Sequence, residues 1–252
     1  MRFASLGSGS RGNATLVEQD KTLLLVDCGF SLRETERRLL RLGREPSQVT
    51  AILLTHEHSD HAAGVDLFAR RHGVPIWLSA GTRAACNKLE ADCRIFNSHT
   101  SFAVHDIEVT PFPVPHDARE PTQFVFGNGA RRIGLLTDTG SLTPHIEQQL
   151  TACDALLLEC NHDREMLLHG VYPPSLKARV DGDYGHLNNA QAAELLRRID
   201  YSALQHIAAA HISDKNNTPQ LVTSALAAAL DCQSEWIAVV GQDDGLPWRE
   251  LI

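Results

Sequence analysis

Residues 54–61 concentrate the side chains that most readily bind metal ions. Four potential ligands fall within six positions of this segment: His56, His58, Asp60 and His61. Imidazole and carboxylate groups suit zinc, iron or manganese. In an extended backbone, His56 and His58 point the same way, whereas Asp60 and His61 enter the first turn of a helix. Two pairs of donors that face slightly different directions are what a two-metal site needs.

Three more candidate ligands lie downstream. Asp138 and His211 each come just after an apolar strand, and His116 follows a run that contains Pro113 and Pro115. Functional groups in open α/β architectures gather at the carboxyl ends of strands, so we expect these side chains to join the first cluster. Each residue alone could equally be a turn or capping residue.

The elements that must position these residues are strands in clusters with helices between them. The predicted helices are residues 31–42, 62–72, 143–151, 188–199 and 217–230. The predicted strands are residues 2–6, 14–18, 21–26, 51–54, 75–78, 101–104, 107–113, 122–127, 131–136, 155–158, 205–209 and 236–240. This order favours two sheets covered by helices on their outer faces. No repeat or low-complexity linker divides the chain, so we expect one domain over residues 1–252.

Composition narrows the class of protein. The 252 residues are 43% hydrophobic and 21% charged, which is typical of a globular protein and excludes collagen and coiled coil. No apolar run approaches the roughly 20 residues that span a bilayer, and the first ten residues lack a signal-peptide core. We therefore expect a cytoplasmic protein without a membrane partner. Six cysteines without a C-x-x-C pair indicate reduced, packed thiols.

The formal charge is −8, from 23 Lys and Arg against 31 Asp and Glu. A nucleic-acid-binding protein usually has a basic excess. Contact with phosphate would therefore need a local basic patch or bound metal ions, which add positive charge at one place.

The pattern H-x-H-x-D-H, a later His, an Asp after a strand and a final His resemble the metallo-β-lactamase fold superfamily, over residues 2–240. The resemblance implies an α/β protein, an αββα sandwich of two mixed β-sheets with helices on the outer faces. It also implies two divalent ions, with zinc, manganese and iron as alternatives. One ion would be held by His56, His58 and His116, the other by Asp60, His61 and His211, with Asp138 bridging them.

Four further segments resemble the YycJ/WalJ/VicX group of this superfamily: residues 6–13, 158–163, 184–189 and 211–217. Cys160 and Asn188 stand where the group typically has Ser. The resemblance implies a two-metal phosphodiesterase, namely a DNA exonuclease that digests double-stranded DNA in the 5′-to-3′ direction. A hydroxide shared by the two ions would attack phosphorus, and Asp60 would orient it.

Two surplus histidines, His162 and His186, are further candidates for catalysis. Either could bind a phosphate oxygen or protonate the leaving alkoxide, or it could instead orient a metal ligand. The candidates for substrate contact are Ser10, Arg11, Asn13 and Asn188. The first three belong to a glycine-rich loop that could bind an anion or be a plain hairpin turn, and Asn188 could instead cap a helix.

Other functions fit the same ligands. A phosphodiesterase for a small cyclic phosphate or nucleotide shares every predicted ligand, and a thioester hydrolase of the glyoxalase type also uses a two-metal histidine loop. A binding protein with a degenerate site is the non-catalytic alternative. Transfer-RNA-processing members usually carry a clamping arm, for which the 22 positions between His116 and Asp138 leave no room. The sequence indicates no oligomeric state.

Overall fold

Fourteen strands form two seven-stranded sheets in the computed structural model, which describes residues 1–252. The first sheet contains β1 (Arg2–Gly7), β2 (Ala14–Gln19), β3 (Thr22–Val26), β4 (Ala51–Leu53), β5 (Ile76–Ser79), β6 (Cys93–Phe96) and β14 (Leu246–Glu250). The second contains β7 (Phe102–Val104), β8 (Ile107–Pro113), β9 (Thr122–Gly127), β10 (Arg132–Leu136), β11 (Ala155–Glu159), β12 (His206–Ala210) and β13 (Ala238–Val239).

Nine helices connect or cover the strands. They are α1 (Leu32–Arg41), α2 (Ser59–Ala62), α3 (Val65–His72), α4 (Ala80–Ala85), α5 (Pro144–Leu150), α6 (Arg164–His169), α7 (Pro174–Val180), α8 (Asn189–Arg198) and α9 (Pro219–Leu230). None of them is both long enough and apolar enough to cross a membrane.

Both sheets are mixed, and they share one pairing scheme. In the order β14-β1-β2-β3-β4-β5-β6, the first three pairings are antiparallel and the last three are parallel. In the order β7-β8-β9-β10-β11-β12-β13, the same three-plus-three division recurs. In each sheet, therefore, the parallel strands end at the same edge, which is where α/β proteins place their functional groups.

Alternating apolar side chains build four layers. In β3, Leu24 and Val26 pack into a core between the two sheets, whereas Leu23 and Leu25 pack against the outer helices. Successive side chains of a strand point to opposite faces, so a continuous apolar run suits a strand that is covered on both sides. The residues of β11 divide between the central core and the other helical layer in the same way. The αββα sandwich predicted from the sequence is confirmed.

The structure adds elements that the sequence did not predict. Chief among them are α6 and α7, between β11 and α8, and the last strand, β14. The segment of α6 and α7 is polar and contains Pro173 and Pro174, which read as turn residues. Strand β14 is short and contains Pro247, yet it pairs with β1 along the edge of the first sheet. All six cysteines are free thiols.

Candidate metal centre and active site

The loop after β4 turns its donors to one side. His56 and His61 are fully buried, while His58 and Asp60 are partly exposed. Glu57, between the two first histidines, points away and accepts a hydrogen bond from the backbone N–H of Arg119. This alternation is what an extended backbone gives, and α2 then starts at Ser59 and presents Asp60 and His61 from its first turn.

The donors of the second sheet come from three separate strand ends. His116 follows β8, Asp138 follows β10 and His211 follows β12. Asp138 and His211 have positive φ angles of 52° and 53°. A residue other than glycine rarely adopts this left-handed conformation, and it clusters at functional sites where the surroundings hold it in place. The backbone therefore turns sharply at both positions and directs the side chains into the cleft.

Three histidine nitrogens face one another in the first donor group. His56 Nε2 lies 3.1 Å from His58 Nδ1, and His116 Nε2 lies 3.3 Å from the same atom. The other ring nitrogen of His116 donates to Gly185 O, and that of His56 is bonded to Thr55 Oγ1. Because Thr55 Oγ1 donates its one proton to Asp27, it accepts from His56 Nδ1. The Nε2 atoms of both rings are therefore unprotonated in the neutral form, and they present lone pairs to a shared point.

A second donor group is formed by Asp60, His61 and His211. His61 Nε2 lies 3.4 Å from Asp60 Oδ2, and His211 Nε2 lies 3.5 Å from the same oxygen. Asp138 lies between the groups. Its Oδ2 is 3.1 Å from His61 Nε2, and its Oδ1 is 3.9 Å from His116 Nε2. The structure thus brings all seven predicted ligands together, in the two sets of three and one shared carboxylate.

The hydrogen bonding of the donor atoms indicates that this site can accommodate cations. Asp138 Oδ2 and His211 Nε2 are buried, and neither makes a well-aligned hydrogen bond within the protein. Buried polar atoms nearly always have a hydrogen-bond partner, so two buried atoms without a well-aligned one in the same cleft indicate a site for a positive charge. Protons partly meet this need: although burial acts to lower it, Asp138 and Asp27 hold the pKa of His61 well above its usual value. Against the same effect of burial, Asp138, Asp60 and Glu159 raise the pKa of His211 to about 10.

Asp27 supports the first sheet's donors from behind, and the sequence analysis missed it. It follows β3 at a φ of 61° and is buried. Its Oδ2 lies 2.7 Å from His61 Nδ1, and Oδ1 accepts from the backbone N–H of Thr55. Since a carboxylate can only accept, Nδ1 of His61 carries the proton and Nε2 is left free for metal.

Glu159, also missed, supports the second sheet's donors. Its Oε1 lies 2.8 Å from His186 Nδ1 and 3.1 Å from His211 Nδ1. Its Oε2 accepts from the backbone N–H groups of Thr139 and Leu187. The signal common to Glu159 and Asp27 was an acidic residue directly at the end of an apolar strand, where an unpaired carboxylate would be costly.

The donors open into a polar cavity of about 360 Å³. His58, Asp60, Asp138 and His211 lie on one side of it. His186 also lines the cavity, with its side chain 21% exposed. Because Glu159 takes its Nδ1, the remaining nitrogen, Nε2, is the one available to a bound molecule.

His162 lies away from this cavity. It is fully buried, and its Nε2 is 3.5 Å from Asp181 Oδ1. The residues predicted to contact the substrate also divide into those that line the cavity and those that do not. Ser10 lines the cavity, but Asn188 accepts from the backbone N–H of Gln191 and caps α8.

The glycine-rich loop does two different things. Arg11 pairs with Asp243 at 3.0 Å and with Asp214 at 3.7 Å. Asn13 is buried, and its Nδ2 lies 3.2 Å from Asp60 Oδ2. Gly29, in the segment after β3, lies between this loop and the metal-binding segment, because a Cβ there would lie 1.7 Å from Asp60 O and 2.8 Å from Asn13 N. Only glycine leaves the space for this approach.

Comparison with known proteins agrees with this geometry. A family model described as the β-lactamase superfamily domain matches residues 22–211. The chain is 36% identical over 236 residues to exodeoxyribonuclease YycJ of Bacillus anthracis, covering 92% of this chain and 89% of that protein. It is 35% identical over 227 residues to exodeoxyribonuclease WalJ of Streptococcus pneumoniae strain D39, covering 87% and 84%.

A solved structure shows the same fold at low sequence identity. The metallo-β-lactamase fold protein YhfI from Bacillus subtilis superposes with a TM-score of 0.76 at 15% identity, covering 99% of each chain. The relatives named exodeoxyribonuclease favour a nuclease over the small-molecule and thioester alternatives. The chain belongs to the metallo-β-lactamase fold superfamily, and within it to the group that contains YycJ and WalJ.

Proposed function

We propose that this protein is a metal-dependent phosphodiesterase that removes nucleotides from the ends of double-stranded DNA in the 5′-to-3′ direction. The observation that carries the proposal is the convergence of seven His and Asp donors in two adjoining groups, four of which line one polar cavity. The names of its relatives support DNA as the substrate. A DNA substrate in turn supports a cytoplasmic location, and the core shared by both sheets supports one domain over residues 1–252.

Two divalent ions would be held by the two donor groups. His56, His58 and His116 would hold the first, Asp60, His61 and His211 the second, and Asp138 would contact both. When bound, zinc, manganese or iron supplies a nucleophile at neutral pH and neutralises charge on the phosphate. The bound ions also add positive charge at the place where a phosphate must bind, and this offsets the net charge of −8 there.

The protein's own residues then orient the reactants. Asp60 is partly exposed beside His61 and His211, so it can both bind metal and accept a proton from the attacking water. His186 is proposed as the general acid. Its Nδ1 is fixed by Glu159 at 2.8 Å, which leaves Nε2 to protonate the leaving oxygen.

The remaining residues take supporting parts in this proposal. Ser10 lines the cavity and is placed to contact the substrate. Asn13 helps to position Asp60 through a hydrogen bond, and His162 contacts Asp181, the residue that directly follows α7. Arg11 is already paired with two carboxylates, and Asn188 caps α8, so any contact that they make with DNA is secondary.

The test is digestion of end-labelled linear duplex DNA with added manganese or zinc. We expect the wild-type protein to release label from the 5′ end and Asp138→Asn to reduce release to background while keeping the circular dichroism spectrum. Asp231→Asn is the matched control, because Asp231 also has a left-handed backbone (φ 50°) but caps α9. It should digest DNA like the wild type.

Three results would contradict the proposal. Digestion of DNA by Asp138→Asn after metal depletion would show that the reaction does not need the seven metal donors. Intact DNA together with cleavage of a small phosphodiester would keep the metal centre but assign it to small molecules, and hydrolysis of a thioester alone would assign it to a glyoxalase-type reaction.

A further inference from the structure

Part of the wall of the cavity is built by the segment between β11 and α8, which carries α6 and α7. Tyr172, Leu176, Arg179 and Val180 from this segment line the cavity. None of these four residues is a predicted metal ligand, and none has a part in the proposed reaction.

This segment is held firmly in place. The side chain of Asp181 contacts His162 and Arg164, and the backbone N–H of His186 donates to Val180 O at 2.9 Å. Close packing at Gly140 adds to this, because a Cβ there would lie 2.5 Å from Asp183 O. A rigid wall can fix the position of a ligand relative to the metal donors.

Arg179 is a cation with unused donors. Its Nε donates to Asp117 Oδ2 at 2.5 Å. Asp117 directly follows the metal donor His116 in the sequence, so this bond holds the guanidinium near the metal donors. The bond leaves the two terminal amino groups without a protein partner on a side chain that is 60% exposed. Because guanidinium groups bind phosphate oxygens through two parallel N–H bonds, Arg179 is suited to hold a phosphate.

Tyr172 supplies an aromatic surface to the same cavity. One side of its ring is covered by Lys215, whose Nζ lies 5.7 Å from the ring centroid. Lys215 has no ion pair and follows the metal donor His211 by four positions. Aromatic side chains next to cations are the usual means of binding single nucleotides, because bases stack on the ring while cations hold the backbone.

We propose that Tyr172, Arg179 and Lys215 form a subsite for one unpaired terminal nucleotide, an inference that rests on the proposed function. Tyr172 stacks on the base, and Arg179 and Lys215 bind its phosphate. A cavity of about 360 Å³ is the size of a small-ligand site, so it takes one nucleotide and not a base pair. The terminal pair must therefore open before cleavage, as in enzymes that extrude a base.

The test compares two substrates of the manganese-loaded full chain: linear duplex DNA, and bis(p-nitrophenyl) phosphate, a diester without a base. We expect Tyr172→Leu and Arg179→Gln each to raise KM for DNA about tenfold and to lower kcat/KM for the small diester by a clearly smaller factor, because that substrate lacks the nucleobase and the neighbouring nucleotides. Tyr172→Phe keeps the ring and should behave as the wild type. The matched controls are Tyr201→Leu and Arg197→Gln, which change exposed residues away from the cavity.

A duplex with abasic terminal nucleotides tests the stacking directly. The wild type should lose about as much activity on this DNA as Tyr172→Leu loses on normal DNA, and Tyr172→Leu should lose little more. Equal losses on DNA and on the small diester, or an unchanged KM for DNA, would overturn the subsite. A wild-type protein that cleaves the small diester but no DNA would instead overturn the proposed function, and the two failures are thus distinguished.

Discussion

The two halves of the molecule have the same pairing scheme but deliver their metal donors differently. In the first sheet, one loop after β4 supplies His56, His58, Asp60 and His61. In the second sheet, three loops supply one donor each. A single loop sets the spacing of its donors locally, whereas donors on separate strands depend on the register of the whole sheet. The second half therefore needs more support from the surrounding structure.

The buried carboxylates behind the donors reflect this difference. Asp27 contacts one histidine, and burial raises its pKa despite the opposing effect of His61. Glu159 contacts two histidines and two backbone N–H groups. Although burial acts to raise it, His186 and His211 lower the pKa of Glu159 to about 2. Both carboxylates are fully enclosed, and Glu159 accepts from more donors than Asp27 does, which favours its ionised form more strongly.

The largest expected effect follows from Glu159→Gln. The amide NH₂ must face either two histidine N–H groups or two backbone N–H groups, and in either orientation His186 and His211 lose the negative charge beside them. We expect kcat/KM on duplex DNA to fall about 100-fold at saturating manganese. Asp154→Asn is the matched control, because Asp154 is a buried carboxylate that precedes the opposite end of β11. It should cost stability but keep activity.

A smaller effect is expected from Asp27→Asn. Only His61 loses its carboxylate partner, so we expect about a tenfold loss of kcat/KM and a matching loss of zinc affinity in calorimetry. Asp66→Asn, which changes a carboxylate that anchors the backbone of Glu90 in the same half, should leave both quantities unchanged. If Asp27→Asn proved as damaging as Glu159→Gln, the number of supported histidines would not be the deciding factor.

The smallest effect is expected where the halves meet. Asn13 Oδ1 accepts from Ser8 Oγ, and Ser8 Oγ accepts from the backbone N–H of His211, so this loop links Asp60 to the second half. Asn13→Ala should lower kcat about threefold, because Asp60 keeps its metal but loses one hydrogen bond. Asn128→Ala, in a distant hairpin, is the control. A rise in KM without a change in kcat would indicate that Asn13 contacts DNA directly.

The sequence predicted the first half of the site better than the second for the same reason. The spacing of His56 to His61 is local and can be read directly, whereas His116, Asp138 and His211 gained meaning only with the cluster and the family resemblance. The core strands were also predictable from continuous apolar runs such as β3 and β11. Asp27 and Glu159 were missed because a single acidic residue after a strand is also typical of a turn.

The segment of α6 and α7 was unpredictable for another reason. Its contacts are made between distant parts of the chain, as with Arg179 and Asp117, and they have no periodic pattern in the sequence. Polar side chains and two prolines suggest a loop, whereas tertiary contacts make it a wall of the cavity.

The hydrogen bonds that join the glycine-rich loop to Gln242 limit when the site can be completed during translation. Arg11 N–H donates to Gln242 Oε1, 231 positions further along the chain, and Gln242 Nε2 donates back to Gly12 O. The loop that contacts Asp60 can therefore be fixed only after Gln242 has been synthesised. All seven metal donors precede Gln242 in the chain, so a segment that supplies no metal donor completes the support of the site.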